Sequence, residues 1–185
     1  LQDLLICALR GISIYAENAR EKGIELQGVA SFVAEGLFTT VTNVNFDPAS
    51  IKAKIKEAFT IRNEIRNMIT EKNGDGTLDG LHKCATWTGD EDSLIEMGSE
   101  VGVLSVQNEN IRSLRELLMY GLKGIAAYAH HAAILGKEDK SIKDFLLEGL
   151  ASTTKDLSQD QMIGMVLKAG EVAVTTMATL DAANT

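Results

Sequence analysis

Apolar residues return along this chain every three or four positions. Leu1, Leu4, Leu5, Ala8, Ile12, Tyr15 and Ala19 fall on one face of a helix. Gly23 offers a stop, because glycine accepts the left-handed conformation that closes a helix. A second helix is predicted over roughly 26–40. A third begins at Asp47-Pro48, where Asp47 can cap free N–H groups and Pro48 suits the first helical position. Ile51, Ile55, Ala58, Phe59, Arg62, Ile65 and Ile69 carry that helix to about 71.

The pattern then starts again. LQDLLICALRGISIYAENAREKG at 1–23 aligns without a gap on LRELLMYGLKGIAAYAHHAAILG at 114–136, and FVAEGL at 32–37 falls on FLLEGL at 145–150 with the same offset of 113. Three further helices are predicted near 109–135, 139–153 and 158–183. The last is opened by the capping-box pair Ser158 and Gln161 and fits the first repeat best at an offset of 111. The expectation is an all-α chain: a three-helix bundle over 1–71, a linker over 72–107 with a glycine-rich loop and a short helix near 91–100, and a second bundle over 108–185. One continuous six-helix array is the alternative. Gly11 and Gly124 recur inside helices, where glycine is unfavourable, and this predicts close helix contact at both.

Composition narrows the function classes. The 185 residues are 45% apolar but only 5% aromatic, with a single proline, so the core is aliphatic and helical. A net charge of −8 with no block of Lys and Arg argues against nucleic acid. No run of about 18 apolar residues stands out, so no membrane span is expected, nor does a secretory signal open the chain. The sequence starts without Met, inside a helical pattern, which predicts a piece of a longer protein. Cys7 and Cys84 belong to no C-x-x-C pair; nothing in their spacing suggests a bridge, and buried free thiols in a reducing cytoplasm are expected.

Candidate chemistry is sparse. Residues 71–82, EKNGDGTLDGLH, imitate a calcium loop. With Gly76 at the sixth position, Glu71, Asn73, Asp75, Thr77 and Asp79 fall on ligand positions. The twelfth is His82, which cannot supply two hard oxygens, and KCATWTGD does not continue as an exiting helix. The stretch reads as a turn-rich surface loop. His130 and His131 are neighbours on a helix and point about 100° apart, too far to share a metal easily, and no E-x-x-H pattern occurs; exposed or capping roles are expected, as for His82. Glu35 and Glu148 recur in F-x-x-E-G-L, and each is expected to meet a Lys or Arg within its bundle. Nucleophile-elbow, Walker, dinucleotide and H-E-x-x-H patterns are absent from the sequence. No catalytic, cofactor or metal residue is assigned. A calcium-binding module and a stand-alone helical scaffold are the other readings that residues alone leave open.

Longer stretches say more. LQDLLICALRGISIYA, LFTTVTNVNFDP, ATWTGD, ENIRSLRELLMYGLKGIAAYAHHAAILG, LEGLASTTKDLS and VTTMATLDAANT, taken in order, resemble the hybrid-cluster or prismane proteins, the hydroxylamine reductases, whose superfamily includes nickel carbon monoxide dehydrogenases. The resemblance implies an N-terminal helical domain of two spectrin-like three-helix bundles, followed by two α/β domains. It implies a four-cysteine segment just before the LQDLL helix, holding a [4Fe–4S] or [2Fe–2S] cluster. It also implies a hybrid Fe–S–O cluster, ligated by Cys, His and Glu of later domains, which reduces hydroxylamine to ammonia and, in proposals for the family, nitric oxide. Neither ligand set falls within these 185 residues, and Cys7 and Cys84 match no ligand position. The expectation is therefore a helical domain that scaffolds and shields clusters, with Leu1 to Leu5 near the N-terminal one. Its partners would be the remaining domains and an electron-donating reductase steered by the acidic surface.

Overall fold

The computed structural model describes residues 1–43, 46–74, 78–88 and 93–185. Among the described residues eight α-helices follow one another: α1 (Gln2–Glu21), α2 (Val29–Thr42), α3 (Pro48–Asn73), α4 (Lys83–Thr86), α5 (Leu94–Val101), α6 (Glu109–Ile134), α7 (Lys140–Ser152) and α8 (Gln159–Ala183). A 3₁₀ turn at Val103–Ser105 joins α5 to α6. No strand occurs among the described residues. The chain is all-α, as its periodicity predicts.

The helix ends follow local chemistry. The Asp47 carboxylate accepts from the Ser50 amide at 3.1 Å, with Pro48 in the first turn of α3. Ser158 and Gln161 form the full capping box, at 3.2 Å and 2.9 Å. At the end of α1 the Ile24 amide donates to the Ala19 carbonyl and the Gly23 amide to that of Arg20, with Gly23 at φ 64°. The end of α6 repeats this with Lys137 to Ala132, Gly136 to Ala133, and Gly136 at φ 83°. Both are Schellman closures, which need a residue at positive φ and so favour glycine.

One continuous core runs through the molecule. Leu5, Leu9 and Ile12 of α1 share it with Ile51, Ile55, Ile65 and Ile69 of α3, on which α1 packs, and Leu118 and Leu122 of α6 join it where α6 packs on α7 and α8. The triplets interlock: α2 lies mainly on α6, and α7 mainly on α1. Two close approaches set the helix spacing. A Cβ on Gly36 would come within 2.9 Å of the Leu9 side chain, and one on Gly149 within 2.6 Å of the Leu122 side chain. Both glycines belong to F-x-x-E-G-L.

The two glycines singled out inside helices behave differently. A Cβ on Gly11 would strike the Cys84 carbonyl oxygen. Gly124 has nothing within 4 Å of such a Cβ, contrary to the expectation of close contact. The physical reason lies in α4. That single turn, absent from the sequence reading of KCATWTGD, covers the Gly11 side of α1, and no described segment covers Gly124. Tyr15 is buried beneath α4 and donates to the Ala85 carbonyl at 3.2 Å, whereas Tyr128 is half-exposed.

Candidate functional site

The calcium-like stretch divides. Asp75, Gly76 and Thr77 lie outside the described residues, as do Gly89 and Asp90 of ATWTGD and Val44 and Asn45 of LFTTVTNVNFDP. Glu71 and Asn73 end α3. His82 caps α4, accepting from the Cys84 amide on Nδ1 at 3.2 Å. Burial holds its pKa below the usual 6.5, and nearby Arg10, Lys83 and Arg115 reinforce this. Among the described residues no three His, Cys, Asp or Glu side chains gather as a metal site would require.

The other sequence candidates fall into structural roles. Lys54 donates to Glu35 at 2.8 Å and lies 4.8 Å from the Phe32 ring. Lys168 donates to both oxygens of Glu148 at 2.8 Å and lies 5.5 Å from the Phe145 ring. The two carboxylates are thus ion-paired within their own halves, as expected. His130 and His131 both approach Phe38 of α2, each with ring centroids at 5.2 Å, and stand 6.4 Å from each other. They pin α6 to α2 through ring contact, beyond the exposed or capping role expected of them.

One expectation is corrected. Cys7 and Cys84 are disulfide-bonded, with Cα atoms 5.2 Å apart. A separation of 77 residues carries no motif, so only the docking of α4 on α1 reveals the pair. By length and composition alone α8 could cross a membrane, but Lys168 and Glu171 interrupt it, so it holds no unbroken apolar run.

The feature the sequence concealed is a polar cavity of about 240 Å³ between the N-terminal half of α1, the turn after α5 and the first half of α6. Arg10, Lys83, Arg112, Arg115 and Lys123 line it, with Asp3, Glu100 and Glu116. These cations come from three separated segments, so no basic block marks them in the sequence. Arg10 is partly buried, and its Nε donates to the Thr153 hydroxyl at 2.8 Å. Desolvation lowers its pKa to about 10, opposed by Glu116 and Asp3 and aided by Arg115. Arg115 donates from Nη2 to the Lys155 carbonyl at 2.8 Å, while its buried Nε meets no acceptor. Desolvation also lowers Lys123, against Glu116 and Asp3.

A profile of the Prismane/CO dehydrogenase family matches residues 1–185. The chain belongs to this family. Among its prismane-family relatives are proteins named hydroxylamine reductase from Nitratidesulfovibrio vulgaris, 52% identical over 189 residues, from Halothermothrix orenii, 52% identical over 191, and from Desulfitobacterium hafniense strain DCB-2, 50% identical over 187. In each, the alignment takes in all of this chain and 34% of the relative. The chain therefore spans about a third of the length of these relatives. The iron–sulfur clusters that the family resemblance implies do not fit the residues present as ligands: both cysteines are bonded to each other, and no cluster of donors forms among the described residues.

Proposed function

We propose that this chain is the helical domain of a hydroxylamine reductase, an oxidoreductase that converts hydroxylamine to ammonia with clusters ligated elsewhere. The observation that carries the reading is the family match over all 185 residues, together with identities near 50% to relatives of that name. On this reading the chain is not catalytic alone. It shields the N-terminal cluster and presents a surface for the rest of the protein. The sequence units 1–71, 72–107 and 108–185 are proposed as its internal divisions.

The outer side of the α6–α8 pair supports the partner part of this reading. Leu117, Tyr120 and Tyr128 on α6 and Leu167, Val174 and Met177 on α8 are all exposed at helical spacing. Lipid is a poor covering for it: Glu171 lies mid-helix in α8 and Lys168 is paired there with Glu148, and charges at that depth are costly in a bilayer. The remaining domains of the longer protein are the proposed covering.

A cytoplasmic setting belongs to the proposal, and the Cys7–Cys84 bond stands against it, since disulfides persist in oxidising compartments. Alkylation in denaturant during lysis, which opens these two buried positions, decides between them: labelled Cys7 and Cys84 support the cytoplasm, and a protected pair sinks it. The activity is tested with the full-length protein under anaerobic conditions. With a chemical reductant supplying the two electrons that each hydroxylamine needs to give ammonia and water, hydroxylamine consumption matched by ammonia, with none from residues 1–185 alone, is expected; no turnover by the intact, cluster-loaded protein overturns the reading. An acidic surface that steers the electron donor predicts that salt slows reduction, and a salt-independent rate would remove that part.

A further inference from the structure

We infer that the cavity between α1 and α6 binds an oxyanion of the phosphate class, held by Arg10, Arg115 and Lys123. The site is built against the charge of the molecule as a whole. The chain carries −8, yet five cationic side chains and three carboxylates line this one cavity. Glu100 is already taken by Lys83 at 3.1 Å. Among the described residues no carboxylate lies within ion-pairing distance of Arg10, Arg115 or Lys123, so three cations face a shared space unneutralised by direct contact. Asp3 and Glu116 act on Arg10 and Lys123, and Asp156 on Arg115, only from further away.

The state of Arg115 agrees with this. Its buried Nε has no acceptor among the described residues, and a buried donor without a partner is unfavourable, which leaves the guanidinium free to turn toward an acceptor in the cavity it lines. Water could fill the space: 240 Å³ equals the liquid volume of about eight waters. Water, however, brings no charge to offset Arg115, which disfavours the charged form of Arg10. An oxyanion supplies acceptors and negative charge together, and guanidinium groups suit phosphate geometry in a way that a point charge does not.

The inference does not depend on the reductase reading. The test uses the full 185-residue chain and inorganic phosphate, with chloride at matched ionic strength as reference. Phosphate is expected to raise the melting temperature logarithmically with its concentration above Kd, by about 3–6 °C at ten times Kd. It should also shift the Arg115 Nε–H resonance. Lys123→Gln should weaken phosphate binding at least about tenfold, while Lys137→Gln, on the exposed turn after α6, should not. Lys123 is the chosen probe because its ammonium makes no hydrogen bond among the described residues, whereas Arg115→Gln also removes the bond to Lys155. Equal effects of phosphate and chloride, or unchanged affinity in Lys123→Gln, would overturn the inference. A parallel titration with glycerol phosphate shows whether a free ion or the phosphate group of a larger molecule is accepted; binding of either supports the site.

Discussion

Arg62 sits in the middle of α3 at 2% exposure, in line with Ile55, Ala58, Ile65 and Ile69. Its guanidinium donates to the Cys84 carbonyl at 3.2 Å and to Asn63 Oδ1 at 3.2 and 3.0 Å, and lies 4.7 Å from the Phe59 ring. Desolvation disfavours its charged form, and the hydrogen bonds offset part of that cost. Arg62→Met keeps most of the volume but strands the Cys84 carbonyl, and should cost about 1–3 kcal/mol. Arg62→Ala adds a cavity and should cost about 3–5 kcal/mol. Urea midpoints at unchanged slope would show both, and equal losses would mean that the lost hydrogen bonds, not packing, set the cost. The sequence placed Arg62 in the apolar row of its helix, but what accepts from it lies 22 residues away in a turn that carries no helical pattern of its own. The cavity cations were hidden for the same reason. Positions 10, 83, 112, 115 and 123 become neighbours only once three segments meet.

At the scale of elements, caps and stops were the legible part. Asp47-Pro48, Ser158 with Gln161, and Gly23 with Gly136 act only on residues within five positions, so local sequence suffices to find them. Glycines inside helices were not legible, because their role depends on what faces them. Gly36→Ala should destabilise by about 1–3 kcal/mol through overpacking against Leu9, while Gly124→Ala, in open space, should stabilise by about 0.5–1 kcal/mol. Thermal melts of the two variants moving in the same direction would refute the pairing. The cap of α4 gives a pH dependence. The folded pKa of His82 lies below its ordinary 6.5, so the fold favours the neutral ring. That contribution is complete above about 6.5 and is lost as pH falls from there through the lower folded value. His82→Asn, which preserves a capping acceptor, should flatten stability over that window; an unchanged profile between wild type and variant would exclude the ring as its source.

For the whole molecule, the decisive property is that α2 leans on α6 and α7 on α1. Residues 1–71 and 108–185 each read as a complete triplet from periodicity alone, yet a single core passes through both. Contacts between repeats follow no periodicity, so this interlocking could not be read from the sequence. The intact chain should unfold in one transition, with calorimetric and van't Hoff enthalpies agreeing. Residues 1–71 alone should show no cooperative melt. Two resolved transitions would instead mark the sequence units as independent folding units.

The four-residue turn at Lys83–Thr86 is held by a covalent bond to α1, by the Tyr15 hydroxyl, and by Arg62. A helix this short, left to itself, exchanges its amide hydrogens with solvent almost freely. Here the Ala85 and Trp87 amides, which donate to the His82 and Lys83 carbonyls, can be released only when α1 and α3 let go. In deuterium oxide they should exchange as slowly as the amides of those long helices. A stretch that reads as a connector would then belong to the slowest-opening part of the protein.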